Sequence, residues 1–388
     1  MTAVRSAPVV GFAPPAIGPE EIAEVTAVLR SGWLSTGPRV RAFEEAFAAY
    51  VGAPHAVAVN SCTAALHLSL LVSGISPGDE VITTPLTFCA TANTIVHVGA
   101  TPRFADIDPV TWNLDPAAAE DAVTNRTRAV VPVHYAGRPV DAPAFRRLAD
   151  TRGLTLIDDA AHCVEGRSAA GKVGATADLT CFSFYATKNL TTGEGGMLTT
   201  ANEAWASAAR VASLHGMSRD AWARYAPGGS AHYDVIVPGF KYNMPDLMAA
   251  IGLQQLAALE ARLARREAIW RRYDEAFADL PLTRPAPIPA GERHARHLYT
   301  VLVDQASGWE RDALAQALGR SGISTSIHFG ALHLFSYYAE RYGYRPGMFP
   351  VAERVSSTTL SLPLSAALSD AEVDAVIDAV RHHVPRSR

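Results

Sequence analysis

Apolar positions along this chain follow two spacings, one helical and one extended. Val40, Phe43, Phe47 and Tyr50 recur three or four residues apart, on one face of a helix beginning near Pro38. An earlier helix is expected from Pro19, a good first-turn residue, with Glu20 and Glu21 where a helix N-terminus favours negative charge. It stops near Gly32. Short apolar runs then alternate with helical stretches. Strands are expected at 56–59, 80–83, 129–134, 154–157, 180–184 and 197–200, and helices at 63–72 and 89–98. This order predicts α/β layers around a largely parallel sheet, with ligand sites at the carboxyl ends of the strands.

The pattern changes near residue 250. A helical stretch rich in Ala, Leu, Arg and Glu covers 246–278, followed by a Pro-rich break at 280–289. Strands at 298–303 and 323–328 and a closing helix at 370–382 complete a smaller α+β unit. Two domains are expected: a large α/β domain over 1–255 and a small C-terminal one over 256–388, with the N-terminal segment able to pack on the latter.

Composition fits that division. The 388 residues are 48% hydrophobic and 19% charged, enough for a substantial core. A net charge of −4 provides no basic field for nucleic acid. The first eleven residues lack the charged-then-apolar order of a secretory signal, and the most apolar stretch, 62–75, is too short to span a bilayer. The four cysteines show no metal or redox spacing. The expectation is a cytoplasmic protein with reduced thiols and no membrane or metal partner.

Candidate chemistry gathers at the predicted strand ends. Lys188 lies in Phe182-Ser-Phe-Tyr-Ala-Thr-Lys-Asn189, before Gly193-Glu-Gly-Gly196, where a lysine can form a Schiff base with an aldehyde. Asp158 and Asp159 end an apolar run in Leu156-Ile-Asp-Asp-Ala-Ala-His162. A carboxylate there can hold a pyridinium N–H or cap the next helix. His162 suits a hydrogen bond to a cofactor's ring oxygen or a structural role. Asn60-Ser-Cys-Thr-Ala64 joins a strand to a helix, where backbone N–H groups favour a phosphate. Ser183 can add a hydroxyl to it. Phe88 can stack on a flat ring or fill a core. Lys241, in Gly239-Phe-Lys-Tyr-Asn-Met-Pro-Asp246, can reach an anion from a loop. Together these features make an inventory for pyridoxal 5'-phosphate. No Walker A loop, Gly-x-Gly-x-x-Gly turn or His-Glu-x-x-His helix competes.

These motifs, together with Trp33-Leu-Ser-Thr-Gly37, Gly78-Asp-Glu-Val-Ile82, Gly322-Ile-Ser-Thr-Ser-Ile-His-Phe329 and Ser361-Leu-Pro-Leu364, resemble the DegT/DnrJ/EryC1/StrS nucleotide-sugar aminotransferases. The resemblance covers nearly the whole chain and implies the type I, aspartate-aminotransferase-like fold of pyridoxal-phosphate enzymes. It implies Lys188 as the Schiff-base lysine, Asp159 rather than Asp158 as the pyridinium partner, and His162 beside the ring oxygen. It further implies Thr63, Ala64 and Ser183 as phosphate contacts and Phe88 as the stacking aromatic. The implied reaction takes an amino group from L-glutamate, leaving 2-oxoglutarate, and puts it on a keto sugar nucleotide. The implied assembly is a homodimer with shared sites, in which the segment holding Lys241 and Asn243 reaches the partner's phosphate. The commonest family pattern there is Gly-Tyr-Asn-Tyr-Arg-Met. This chain has Lys241 for the Asn and Asn243 for the Arg, similar to the branch that makes 4-amino-4-deoxy-arabinose on UDP. His215 and His328 point the same way, as substrate contacts, and favour C4 over C3. A C3 or cyclitol aminotransferase uses the same scaffold. A sugar dehydratase would carry His in place of Lys188, and a pyridoxal-binding regulator would be expected to bring a DNA-binding extension. Loops 218–237 and 329–349 are expected to meet the base or sugar.

Overall fold

The computed structural model describes residues 9–218 and 233–384. A seven-stranded sheet is built from strands between residues 55 and 200. Its strands are β1 (His55–Val59), β2 (Glu80–Thr83), β3 (Thr101–Phe104), β4 (Thr127–Val131) and β5 (Thr155–Asp159), with β8 (Leu179–Ser183) and β9 (Gly196–Thr200) following the small hairpin β6 (Arg167–Ser168) and β7 (Gly171–Lys172). The order across the sheet is β1-β9-β8-β5-β4-β2-β3. Only β9 runs against the rest, pairing antiparallel with both β1 and β8. The carboxyl ends of β1, β2, β5 and β8 therefore share one edge, and β9 begins there.

Every residue of β2, β8 and β9 is buried, because helices cover both faces. Alternate residues serve two cores. Val57, Val59, Cys181 and Leu198 pack with the helix Cys62–Val72. Ala56, Ala58, Phe182 and Met197 pack with Phe43 and Phe47 of the helix Pro38–Val51. Each fully buried aromatic of that second layer stabilises the fold by about 1.5–3 kcal/mol.

A separate core lies towards the C-terminus. Val10 joins residues from Ile269 to Val384 there, around the two-stranded sheet of β10 (Tyr299–Leu302) and β11 (Thr359–Leu362). Two expected elements differ. The stretch 246–278 is not one helix but two, Asp246–Ala257 and Leu259–Ala276. The first packs on the helices Pro19–Ser31 and Pro38–Val51, whereas the second sends Ile269, Trp270 and Tyr273 into the C-terminal core. Two packing partners set two axes, and the break falls at Ala258 although no Gly or Pro marks it. Nor is 323–328 a continuous strand. Ile323 bridges Val10 and Ser326 bridges Ser361 as isolated pairs, so the segment's hydrogen bonds are split between two neighbours. The pairing strand is β11, whose motif Ser361-Leu-Pro-Leu364 carries a Pro just past its end.

Among the described residues no helix is long and apolar enough to cross a membrane, and no cluster of His, Cys, Asp or Glu could hold a metal. The four cysteines are free thiols.

Candidate active site

A cavity of about 570 Å³ opens at the shared carboxyl edge. Its wall takes Ser61, Cys62 and Thr63 after β1, Thr87, Phe88 and Thr91 after β2, Asp159 and His162 after β5, and Ser183 and Lys188 after β8. Phe12, His297, Ile327, His328 and Phe329 complete it from outside the sheet.

Asp158 and Asp159 point to opposite faces of the sheet. Asp159 accepts the Thr91 hydroxyl (2.7 Å) on one oxygen and the Ala161 N–H (3.1 Å) on the other. Burial pushes its carboxyl pKa up, while those donors and the charge of Lys188 oppose the rise. Asp158 instead lies beside His134. His134 Nδ1 accepts the Val140 N–H, which leaves the ring proton on Nε2, 3.1 Å from Asp158 Oδ2.

Lys188 follows β8 on a turn closed by its own N–H to the Tyr185 carbonyl (2.9 Å). Burial lowers its pKa to about 8, against the pull of Cys62 and Asp159. The imidazole rings nearby are held neutral. Burial, and then the Lys188 charge, push His162 and His297 well below the ordinary histidine range and His328 to about 4. His162 lies against Phe329 (5.8 Å between centroids, 19° between planes), and its Nδ1 is buried without a partner. His328 stacks on Phe12 and shares a 2.9 Å hydrogen bond with Ser361. Phe88 is 61% exposed and tilts towards Phe329 at 6.3 Å, free to cover a flat group.

The turn after β1 is built for an anion. Ser61 caps the helix by accepting the Ala64 N–H (3.1 Å). The Ala64 N–H is therefore already engaged, and the first-turn N–H groups of Cys62 and Thr63 are left for a ligand. Gly196 passes so close beneath that a Cβ would sit 2.4 Å from the Ser61 carbonyl carbon and 2.6 Å from the Cys62 nitrogen. Ser183, at the end of β8, lines the same side of the cavity.

Four expected site residues do not line this chain's own cavity: Ala64, whose N–H is taken by Ser61, and Lys241, Asn243 and His215. Lys241 is exposed, with its carbonyl accepting from Asn60 Nδ2 (3.2 Å). Asn243 bridges Val59 and donates to the Thr36 hydroxyl (2.7 Å). His215 is exposed at a positive φ of 58°, its N–H donating to the Phe240 carbonyl. The segment 240–243 thus runs beside the anion turn without turning Lys241 into it. Most of loop 218–237 lies outside the described residues. Sequence reading missed Thr91, Gly196, Phe12 and His297. Thr91 sits one helical turn after Phe88 and Gly196 within the Gly193–Gly196 run, so both carried a signal. Phe12 and His297 come from distant segments and carried none.

These residues fit pyridoxal 5'-phosphate. The observations are a buried lysine amine, a hydrogen-bonded carboxylate, an anion turn that no Cβ crowds, and an orphaned imidazole nitrogen, all on one cavity.

Residues 15–381 match the model of the DegT/DnrJ/EryC1/StrS aminotransferase family. The spore coat polysaccharide biosynthesis protein SpsC of Bacillus subtilis is 54% identical over 340 residues, 87% of each chain. Spr1654, a candidate sugar aminotransferase from Streptococcus pneumoniae solved in a PLP form, superposes with a TM-score of 0.90 at 34% identity, covering 97% of this chain and 98% of its own. DesI, solved in the presence of its TDP-sugar product, gives 0.86 at 34% identity, covering 100% of this chain and 95% of its own. Fold, site and likenesses together define a pyridoxal-phosphate-dependent sugar aminotransferase of the type I fold. Within that class, the chain belongs to the DegT/DnrJ/EryC1/StrS aminotransferase family.

Proposed function

We propose that the enzyme moves an amino group from L-glutamate to C4 of a UDP- or dTDP-linked keto sugar, working as a cytoplasmic homodimer with shared sites. The observation that carries the reading is the convergence of Lys188, Asp159 and His162 on one cavity at the carboxyl edge of the sheet. When bound, pyridoxal phosphate supplies a carbonyl that accepts the amino group and a ring that takes up the electrons released at the substrate carbon. Lys188 Nζ would hold the group and, when free, would take a proton from the Cα of the amino acid. Asp159 keeps a cationic ring nitrogen protonated, with Thr91 and the Ala161 N–H holding the carboxylate in place. His162 offers a hydrogen bond at the ring's edge. The N–H groups of Cys62 and Thr63 and the Ser183 hydroxyl take the phosphate, and Phe88 covers the ring.

The nucleotide-sugar acceptor is supported by the TDP-sugar product of DesI, and a polysaccharide context by SpsC. The C4 preference rests on Gly239-Phe-Lys-Tyr-Asn243, with His328 on the cavity wall. Lys241 and Asn243 serve the partner's site in this reading, because neither reaches its own cavity. His215 would meet substrate from the same side. Amination of a panel of 3-keto and 4-keto sugar nucleotides, with the product carbon read by NMR, tests the assignment. Amination of 3-keto substrates alone would overturn it.

A further inference from the structure

Behind Lys188 lies a chain of buried polar groups that the reaction above does not use. Arg266, from the helix Leu259–Ala276, is 3% exposed and donates to Glu165, which is wholly buried. The other Glu165 oxygen accepts from Asn189 Nδ2 (2.9 Å). The same amide nitrogen donates to the Ala295 carbonyl (2.8 Å). Asn189 Oδ1 then faces His297 Nδ1 at 3.1 Å. His297 lines the cavity and lies 4.4 Å, centroid to centroid, from His162.

This chain has a direction. Turning the Asn189 amide over would set its oxygen against both a carboxylate and a carbonyl, so the NH₂ end must face Glu165 and Ala295. Oδ1 is therefore an acceptor, and His297 must donate to it from Nδ1. A neutral imidazole has one N–H, so Nε2 keeps its lone pair on the side of the ring away from Asn189. The buried Arg266–Glu165 pair anchors the arrangement, since turning Glu165 away would leave a buried guanidinium unpaired.

The geometry assigns to His297 a place in the amino-transfer site, as a neutral hydrogen-bond acceptor whose tautomer is set by Asn189, Glu165 and Arg266. Its partner would be an N–H or O–H donor of the amino acid or sugar in the cavity. The assignment deepens the aminotransferase reading. Its spectroscopic arm stands apart from that reading, because it needs no turnover.

The test begins with purified enzyme labelled with ¹⁵N-histidine. Long-range ¹H–¹⁵N correlation should show His297 with the proton on Nδ1, the signal being assigned by its loss in His297→Asn. A proton on Nε2 would overturn the assignment. Asn189→Ala should turn the signal into a mixture of tautomers, and an unchanged Nδ1–H signal would show that Asn189 does not set it. His297→Asn keeps a donor near the Nδ1 position and removes Nε2. Its kcat should fall about tenfold, the size of one lost hydrogen bond, with the thermal midpoint close to wild type. Wild-type kcat and KM in that variant would remove His297 from the reaction.

Discussion

Asp158 and Asp159 are chemically identical neighbours whose surroundings separate them. Asp159 faces the cavity and accepts two hydrogen bonds, whereas Asp158 faces His134 on the other side of the sheet. Asp159→Asn should lower kcat by at least ~100-fold, in the range of a lost charge stabiliser, while Asp158→Asn should mainly lower the thermal midpoint. Single-turnover kinetics and thermal melts of both variants would check this, and a larger chemical defect in Asp158→Asn would reverse the roles. Lys188 yields a pH prediction. Burial lowers its pKa, so the amine becomes neutral and nucleophilic as pH rises through about 8, not through the ordinary 10.5. Attachment of pyridoxal phosphate to the apoenzyme should therefore accelerate with pH and level off above about 8. Lys188→Ala should fold, lose transamination and leave no borohydride-fixed peptide. A rate still climbing steeply beyond pH 9 would contradict the buried amine.

Elements set the distances between these residues through two close approaches. β9 lies against the anion turn only because Gly196 has no side chain. Gly196→Ala would push on Ser61 and Cys62 at a cost of about 1–3 kcal/mol, so pyridoxal phosphate should bind about tenfold more weakly. Titration of the apoenzyme by fluorescence measures this, and unchanged affinity would show that the turn can give way. The helix Asp246–Ala257 meets the helix Pro38–Val51 at Gly252, where a Cβ would lie 2.7 Å from the Phe43 ring. Gly252→Ala should lower the thermal midpoint by several degrees without changing KM. Helices and strands with strong periodicity were legible in the sequence. β3 was not, because Thr101-Pro-Arg-Phe104 carries only two buried side chains, one of them a Pro. The break at Ala258 left no local mark either, since packing against two different cores causes it.

At the scale of the whole molecule, the proposed shared-site dimer bears on Lys241. Its carbonyl is tied to Asn60 beside the anion turn, yet its exposed side chain does not line its own cavity. In a dimer with shared sites it would act on the partner's phosphate as a point charge. Lys241→Ala should then weaken pyridoxal phosphate binding while leaving the covalent link to Lys188 intact. Mixed dimers of Lys241→Ala and Lys188→Ala place both lesions in one site and leave the other whole. They should regain roughly half the activity of a wild-type dimer, by counting sites. Recovery of none, with subunit exchange verified, would assign Lys241 to its own subunit.

The sequence by itself determined which strand ends carry the candidate residues. Lys188, Asp159, the Asn60–Ala64 turn and Phe88 each follow an apolar run, and in a parallel sheet those ends fall on one edge for topological reasons. It could not decide which N–H groups of the turn stay free, because that depends on Ser61 capping Ala64. Nor could it bring Phe12 and His297 to the cavity, since their positions follow from the N-terminal segment and the C-terminal chain folding back over the sheet. The Arg266–Glu165–Asn189–His297 chain was equally hidden. Its members are scattered in sequence, and only burial, which forces each polar group to find a partner, makes them one device.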